Sequence, residues 1–296
     1  MTAFGFLPID KPKGLTSHDV VARIRRGTGI KRIGHAGTLD PMATGALIVC
    51  VGAATRLSDY VMHGEKVYRA VLRLGVETDT YDAEGSIVAT ADASWITPEA
   101  IEAEVSHFQG EIEQIPPMYS AIKRSGKKLY ELARDGVEID RAPRRVWLRT
   151  NLLAFNPPDA ELEITCSAGT YIRSVAHDLG AVLGVGAHLT ALRRLRSGDL
   201  RDLVAWEDLN RALADGSWTR YLLTERDLLA HIPAVHLDRP TADDVLHGRF
   251  VRLEPDFQAR SPDSEAILYR AYDPDDRFIA LLERHESTLE PTKVFG

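Results

Sequence analysis

Cysteine is scarce: two in 296 residues, Cys50 and Cys166, in apolar surroundings and without Cys-x-x-Cys spacing. This excludes a disulfide scaffold and reads as buried free thiols in a reducing, cytoplasmic setting. Long apolar runs are lacking too. The longest nearly uncharged stretch, Ala43 to Thr55, falls well short of the roughly 20 residues a membrane-spanning helix needs. Asp10 and Lys11 follow a short apolar start, so the N-terminus reads as carrying no secretory signal. There are no repeats or low-complexity segments, no His-Glu-x-x-His, no Gly-x-Ser-x-Gly and no clustered metal ligands. A Walker loop is excluded as well, because Ala121 stands where Gly126-Lys127-Lys128 would need the first glycine. What is present is ordinary globular material. With 44% apolar and 27% charged residues the chain fills a sizeable core, and its length suits two domains of roughly 150 residues.

The net charge of −7 hides a partition. Residues 77–113 hold ten acidic side chains and no Lys or Arg. Residues 10–35 hold seven Lys or Arg against two Asp, and residues 121–149 hold nine against four. Arg193, Arg194, Arg196 and Arg201 face a single Asp199. Three basic segments far apart in sequence can converge into one surface for a polyanion, or can remain separate solvated faces.

Periodicity gives an α+β reading. Thr16 or Ser17 caps a helix with Val20, Val21 and Ile24 on one side and Gly27 at its end. Lys66 to Leu74 alternates as a strand with Tyr68, Ala70, Leu72 and Leu74 on one face. Thr97-Pro98 opens a helix carrying Ile101, Val105 and Phe108, closed by Gly110. A second strand through Leu162, Ile164 and Cys166 turns at Gly169-Thr170 into a helix with Ile172, Val175, Leu179 and Val182. Leu-rich helices follow Trp206, and His231-Ile232-Pro233 reads as a linker. Beyond it, Thr241–His247 is helical, and two strands flank Asp273–Arg277 as a hairpin. We therefore expect a body at 1–231, with a mixed, mainly antiparallel sheet and flanking helices, and a small β-rich unit at 232–296.

One loop stands out. Residues 34–45 carry glycines at 34, 37 and 45, which let backbone approach a ligand, and Pro41 stiffens the presentation of Asp40. On composition alone Asp40 is a turn-forming aspartate. The string Gly34–Gly45, however, resembles the signature loop of the TruB family of pseudouridine synthases, which modify uridine 55 in the T-loop of tRNA. Five further blocks resemble that family in order: Gly5–Ser17, Lys66–Arg69 with Gly75–Gly85 following, Pro116–Lys123, Gly169–Ser174 and Ala187–Gly198.

The resemblance implies an isomerase that needs no cofactor and no metal, since breaking N1–C1′ and joining C5 to C1′ oxidises nothing. It implies Asp40 as the catalytic carboxylate, Arg173 as the arginine that holds it charged, and Tyr68 as the ring against the target base. His35, Tyr171 and Leu192 are implied as RNA-contacting or base-enclosing residues. Asp82 and Arg56 would tie the catalytic loop through salt bridges, with Arg56 replacing the lysine expected there. The implied partner is the T-arm stem-loop of tRNA, met by a cytoplasmic monomer with no membrane or obligate protein partner. The C-terminal unit resembles, loosely, a PUA-like RNA-binding domain.

Overall fold

The computed structural model describes residues 3–120, 123–124, 127–129, 137, 139–252 and 267–296. Its body is built on a sheet with the order Val204–Ala205, Gly5–Lys11, Thr44–Val51, Ala187–Ser197, Lys66–Leu74, Asp159–Cys166, Arg144–Asn156, Gln109–Gln114. Ile33–Ala36 pairs with Thr44–Val51 off this path. Most pairings are antiparallel; Gly5–Lys11 with Val204–Ala205, and Thr44–Val51 with Ala187–Ser197, are parallel. The fold is therefore the expected α+β arrangement.

The middle of this sheet is buried on both faces, which explains the unbroken apolar run from Ala46 to Val51. Leu47, Val49 and Val51 face a large core shared with the helices Ser17–Thr28, Pro98–Val105, Ile172–Val182 and Trp206–Asp215. Ala46, Ile48 and Cys50 face the other way, into a second core. That second core is completed by Leu281 and Phe295, so the C-terminal unit forms the cover of the sheet's far face.

Local details refine the sequence reading. Thr16 caps the first helix in a capping box with Asp19, but the helix runs to Thr28 and closes at Gly29, which takes the left-handed φ of 72°. Gly27 lies inside the helix, where a Cβ would meet Leu213 at 2.9 Å, which accounts for glycine at that position. Thr97 caps its helix as expected, yet Gly110 belongs to the following strand. The strand Lys66–Leu74 alternates as read, with Arg69 and Arg73 outward.

The C-terminal unit is a five-stranded sheet ordered Ala234–His236, Leu268–Tyr272, Phe278–His285, Thr288–Val294, Val251–Arg252, packed with the helix Arg239–Leu246. Its join to the body is not a free tether. Ile232 is buried in the second core, and Arg270 donates to its carbonyl at 2.7 Å. Tyr272 donates to the buried Glu225 of the body at 3.0 Å. Phe4, Phe278 and Phe295 stack with centroids 5.0–6.2 Å apart. A Phe295→Ala change is expected to lower the unfolding free energy by roughly 3 kcal/mol, measured by urea denaturation. A change of a few tenths would show that the cover contributes nothing to the body.

Candidate active site

Asp40 lies between the strands Ile33–Ala36 and Thr44–Val51, on a loop that Gly37 enters at a φ of 86°. The N-terminal segment holds this loop from one side. Gly14 donates its N–H to the Pro41 carbonyl at 2.8 Å. The Ser17 hydroxyl accepts from the Leu39 N–H at 3.0 Å and donates to the Leu39 carbonyl at 3.3 Å. Lys11 is fully buried and donates to the carbonyls of Pro12, Leu15 and Pro41. Burial brings its ammonium down to about 8, with Asp40 working in the opposite direction.

Arg173 faces Asp40 from the second residue of the helix Ile172–Val182. Its Nε stands 3.0 Å from Asp40 Oδ2, and its Nη2 donates to Asp40 Oδ1 at 3.3 Å. The other side of the guanidinium meets Asp82 Oδ2 at 3.4 Å and the carbonyls of Thr80 and Tyr119 at 3.2 and 2.8 Å. Arg173 and Asp82 are buried, at 6% and 5% side-chain exposure, while Asp40 keeps 35%. The carboxylate is thus the member of this trio that a ligand can reach.

The turn carrying Asp82 is itself fixed. Thr80 Oγ and the Glu84 N–H donate to Asp82 Oδ1 at 2.7 and 3.0 Å. Tyr81 is held at a φ of 63° and stacks on His177 of the arginine helix, centroids 4.0 Å apart. That stack joins the two elements that supply Asp82 and Arg173.

Burial pushes the Asp40 carboxyl above its ordinary value; Arg173 pulls it down, and Asp82 adds to the rise. With Asp40 read as the nucleophile, as the resemblance implies, its ionised form is the reactive one and activity is expected to rise with pH through this group. The acid limb of kcat/KM is expected above the ordinary carboxylate value of about 3.9, as a pH series on the free enzyme would measure. A limb at or below 4 would mean that Arg173 outweighs burial.

Tyr68 and Leu192 are nearly buried and belong to the same core as Leu39 and Met42, beside the loop. Tyr171 precedes the arginine helix, with its backbone N–H and C=O both bonded by Gln114. Burial raises both tyrosine hydroxyls. His35 sits on the strand Ile33–Ala36 with its ring edge-on to His18 at 5.2 Å. Burial first, then His18 and Arg194, bring it down to about 4, so it is neutral at pH 7.

Arg56 does not support this loop. Its guanidinium lies 5.0 Å from the Phe295 centroid and donates to the Val294 carbonyl. The expected salt bridge is replaced by a tie to the C-terminal strand, because residues 52–57 turn toward the sheet's far face. Part of the basic charge also proves internal. Lys11 and Arg194 are buried, Arg193 pairs with Asp10 at 2.7 Å, and Arg196 pairs with Glu65 at 3.2 Å. Much of the basic segment 121–149 lies outside the described residues. Sequence reasoning passed over Lys11 and Arg194 as site residues; the signal for each was no more than its place in the blocks Gly5–Ser17 and Ala187–Gly198.

The loop carries a carboxylate with an arginine fork behind it, a tyrosine lies two strands over from Thr44–Val51, and the fold is that of a pseudouridine synthase. The chain belongs to the TruB family of pseudouridylate synthases: the model of the family's N-terminal domain matches residues 25–172. The model of the tRNA pseudouridylate synthase B C-terminal domain matches residues 173–230. The seam between the two falls inside the arginine helix, so it is not a structural boundary.

Curated relatives carry the name tRNA pseudouridine synthase B. One from Symbiobacterium thermophilum is 49% identical over 82% of this chain and 82% of its own. Another, from Burkholderia pseudomallei, is 42% identical over 98% of this chain and 96% of its own. Among solved structures, Cbf5 in a Cbf5–Nop10–Gar1 complex is similar with a TM-score of 0.74 and 27% identity, covering 99% of this chain and 85% of that one. The protein is an enzyme, an isomerase of tRNA uridine. Among the described residues, no helix is long and apolar enough to cross a membrane.

Proposed function

We propose that the enzyme converts uridine 55 of the tRNA T-loop to pseudouridine, with Asp40 as the nucleophilic carboxylate. The supporting observation is the reachable Asp40 carboxylate held against a buried Arg173 and Asp82. Isomerisation breaks N1–C1′, turns the freed uracil and joins C5 to C1′; N1 gains a proton and C5 releases one. Asp40 holds the fragment while the base turns, Arg173 keeps that carboxylate aimed, and Tyr68 packs on the base and handles a proton. His35, neutral and at the loop's entrance, contacts RNA during extrusion of the base, while Tyr171 and Leu192 enclose the flipped nucleotide.

We read residues 1–231 as the catalytic domain and 232–296 as a PUA-like RNA-binding domain. The latter holds eight Lys or Arg against thirteen Asp or Glu, so it adds contact area and little attraction to phosphate. The enzyme acts as a cytoplasmic monomer without an obligate protein partner. The test is tritium release from tRNA labelled at uridine C5, followed by mapping of the product. Release confined to position 55 is expected. Release from another position would overturn the site, and binding without release would overturn the catalytic reading.

A further inference from the structure

Arg194 lies two residues beyond Leu192 on the central strand Ala187–Ser197 and is 1% exposed. Its Nε donates to the Ala46 carbonyl at 2.6 Å, its Nη2 to Gly37 at 3.0 Å and its Nη1 to Thr38 at 3.4 Å. Tyr68 is its register partner across the strands, and the buried guanidinium acts electrostatically on the Tyr68 hydroxyl. The backbone closes on the same loop. A Cβ at Gly45 would stand 2.2 Å from the Arg194 carbonyl oxygen, which accounts for glycine there at a φ of 98°. Both ends of the segment that carries Asp40 are therefore keyed to one residue.

Among the described residues no carboxylate pairs with Arg194; its hydrogen bonds run to three carbonyl oxygens. Burying a cation without a counter-charge is expensive, and apolar side chains would join these strands at less cost. The arrangement has a use if the guanidinium serves the reacting groups. We propose that Arg194 is a positioning residue, whose single guanidinium sets the loop of Asp40 and the hydroxyl of Tyr68 in one rigid frame. Its charge further favours negative charge on the Tyr68 oxygen, against the burial that opposes it. This inference rests on the roles proposed for Asp40 and Tyr68.

The experiment is a double-mutant cycle of Arg194→Lys with Tyr68→Phe, read as single-turnover rate and RNA dissociation constant on a full-length tRNA. Lysine keeps the charge and loses the fork. The rate is expected to fall about 100-fold with affinity changed less than threefold, as for a misplaced reacting group. In the Tyr68→Phe background the further loss is expected to shrink to roughly tenfold, because one of the two framed groups is already gone. Arg194→Met, which removes the buried charge while nearly conserving length, is expected to fold and to be slower still. Near-normal rates in Arg194→Lys, or an undiminished loss in the Tyr68→Phe background, would overturn the proposal. So would loss of the fold in both single Arg194 variants by circular dichroism, which would make Arg194 a core residue only. A normal rate in Tyr68→Phe alone would instead refute the role of that hydroxyl, and Arg194→Lys would then decide the clamp on the Asp40 loop by itself.

Discussion

Asp40→Asn is expected to abolish turnover, by at least about 10⁴-fold, while tRNA affinity stays within a few-fold of the original enzyme. The amide keeps the size and one acceptor, so the loop held by Gly14, Ser17 and Lys11 remains in place. Its effect on stability has a definite sign. Burial and Asp82 raise the folded-state pKa of Asp40, so the ionised carboxylate works against the fold at neutral pH. That opposition fades as pH falls through the raised folded-state value and is gone below the unfolded value, where the group is protonated in both states. The neutral amide removes it at every pH. The variant should therefore melt at or above the temperature of the original enzyme, as expected where a site stores strain for its chemistry. Calorimetry and tritium release on one preparation check both halves. An inactive variant that melts far lower would assign Asp40 to the scaffold, and measurable turnover in pure variant protein would remove it from the chemistry.

Arg173→Lys is the second large effect. One guanidinium serves two carboxylates and two carbonyls at once, from Asp40 to Tyr119. An ammonium has the charge but not the fork, and cannot span Asp40 and Asp82 in the same geometry. Turnover is expected to drop on the order of 10²–10³-fold, the usual cost of losing a preorganised electrostatic contact. Affinity for the T-arm should hold, because Arg173 is buried behind Asp40. A variant with weakened binding and normal single-turnover rate would place Arg173 on the RNA surface.

The alternation of Tyr68, Ala70, Leu72 and Leu74 was readable because a strand's faces follow from a period of two, and the structure buries those residues as read. The loop of Asp40 was readable because a proline stiffens it locally while three glycines permit turns and close approaches. Arg194 was hidden by distance in sequence. Its carbonyl partners lie 148 to 157 residues away, and periodicity says which side of a strand a residue takes but not which carbonyls await it there. Arg56 failed for a related reason: a cation reads as a partner for some acid, while its real partners are a ring and a carbonyl far along the chain. Charge counting likewise overstated the RNA-facing surface, since an arginine paired with Asp10 or sealed under a sheet counts the same as an exposed one.

The cover over the sheet's far face has a consequence for biosynthesis. Leu281 and Phe295, which close over Ile48 and Cys50, are translated roughly 90 to 100 residues after Arg194. At 5–20 residues per second that interval lasts on the order of 5–20 s. Throughout it the nascent chain already contains every residue proposed for the active site, yet presents a seam of Phe4, Phe6, Ile48 and Leu57 without its lid.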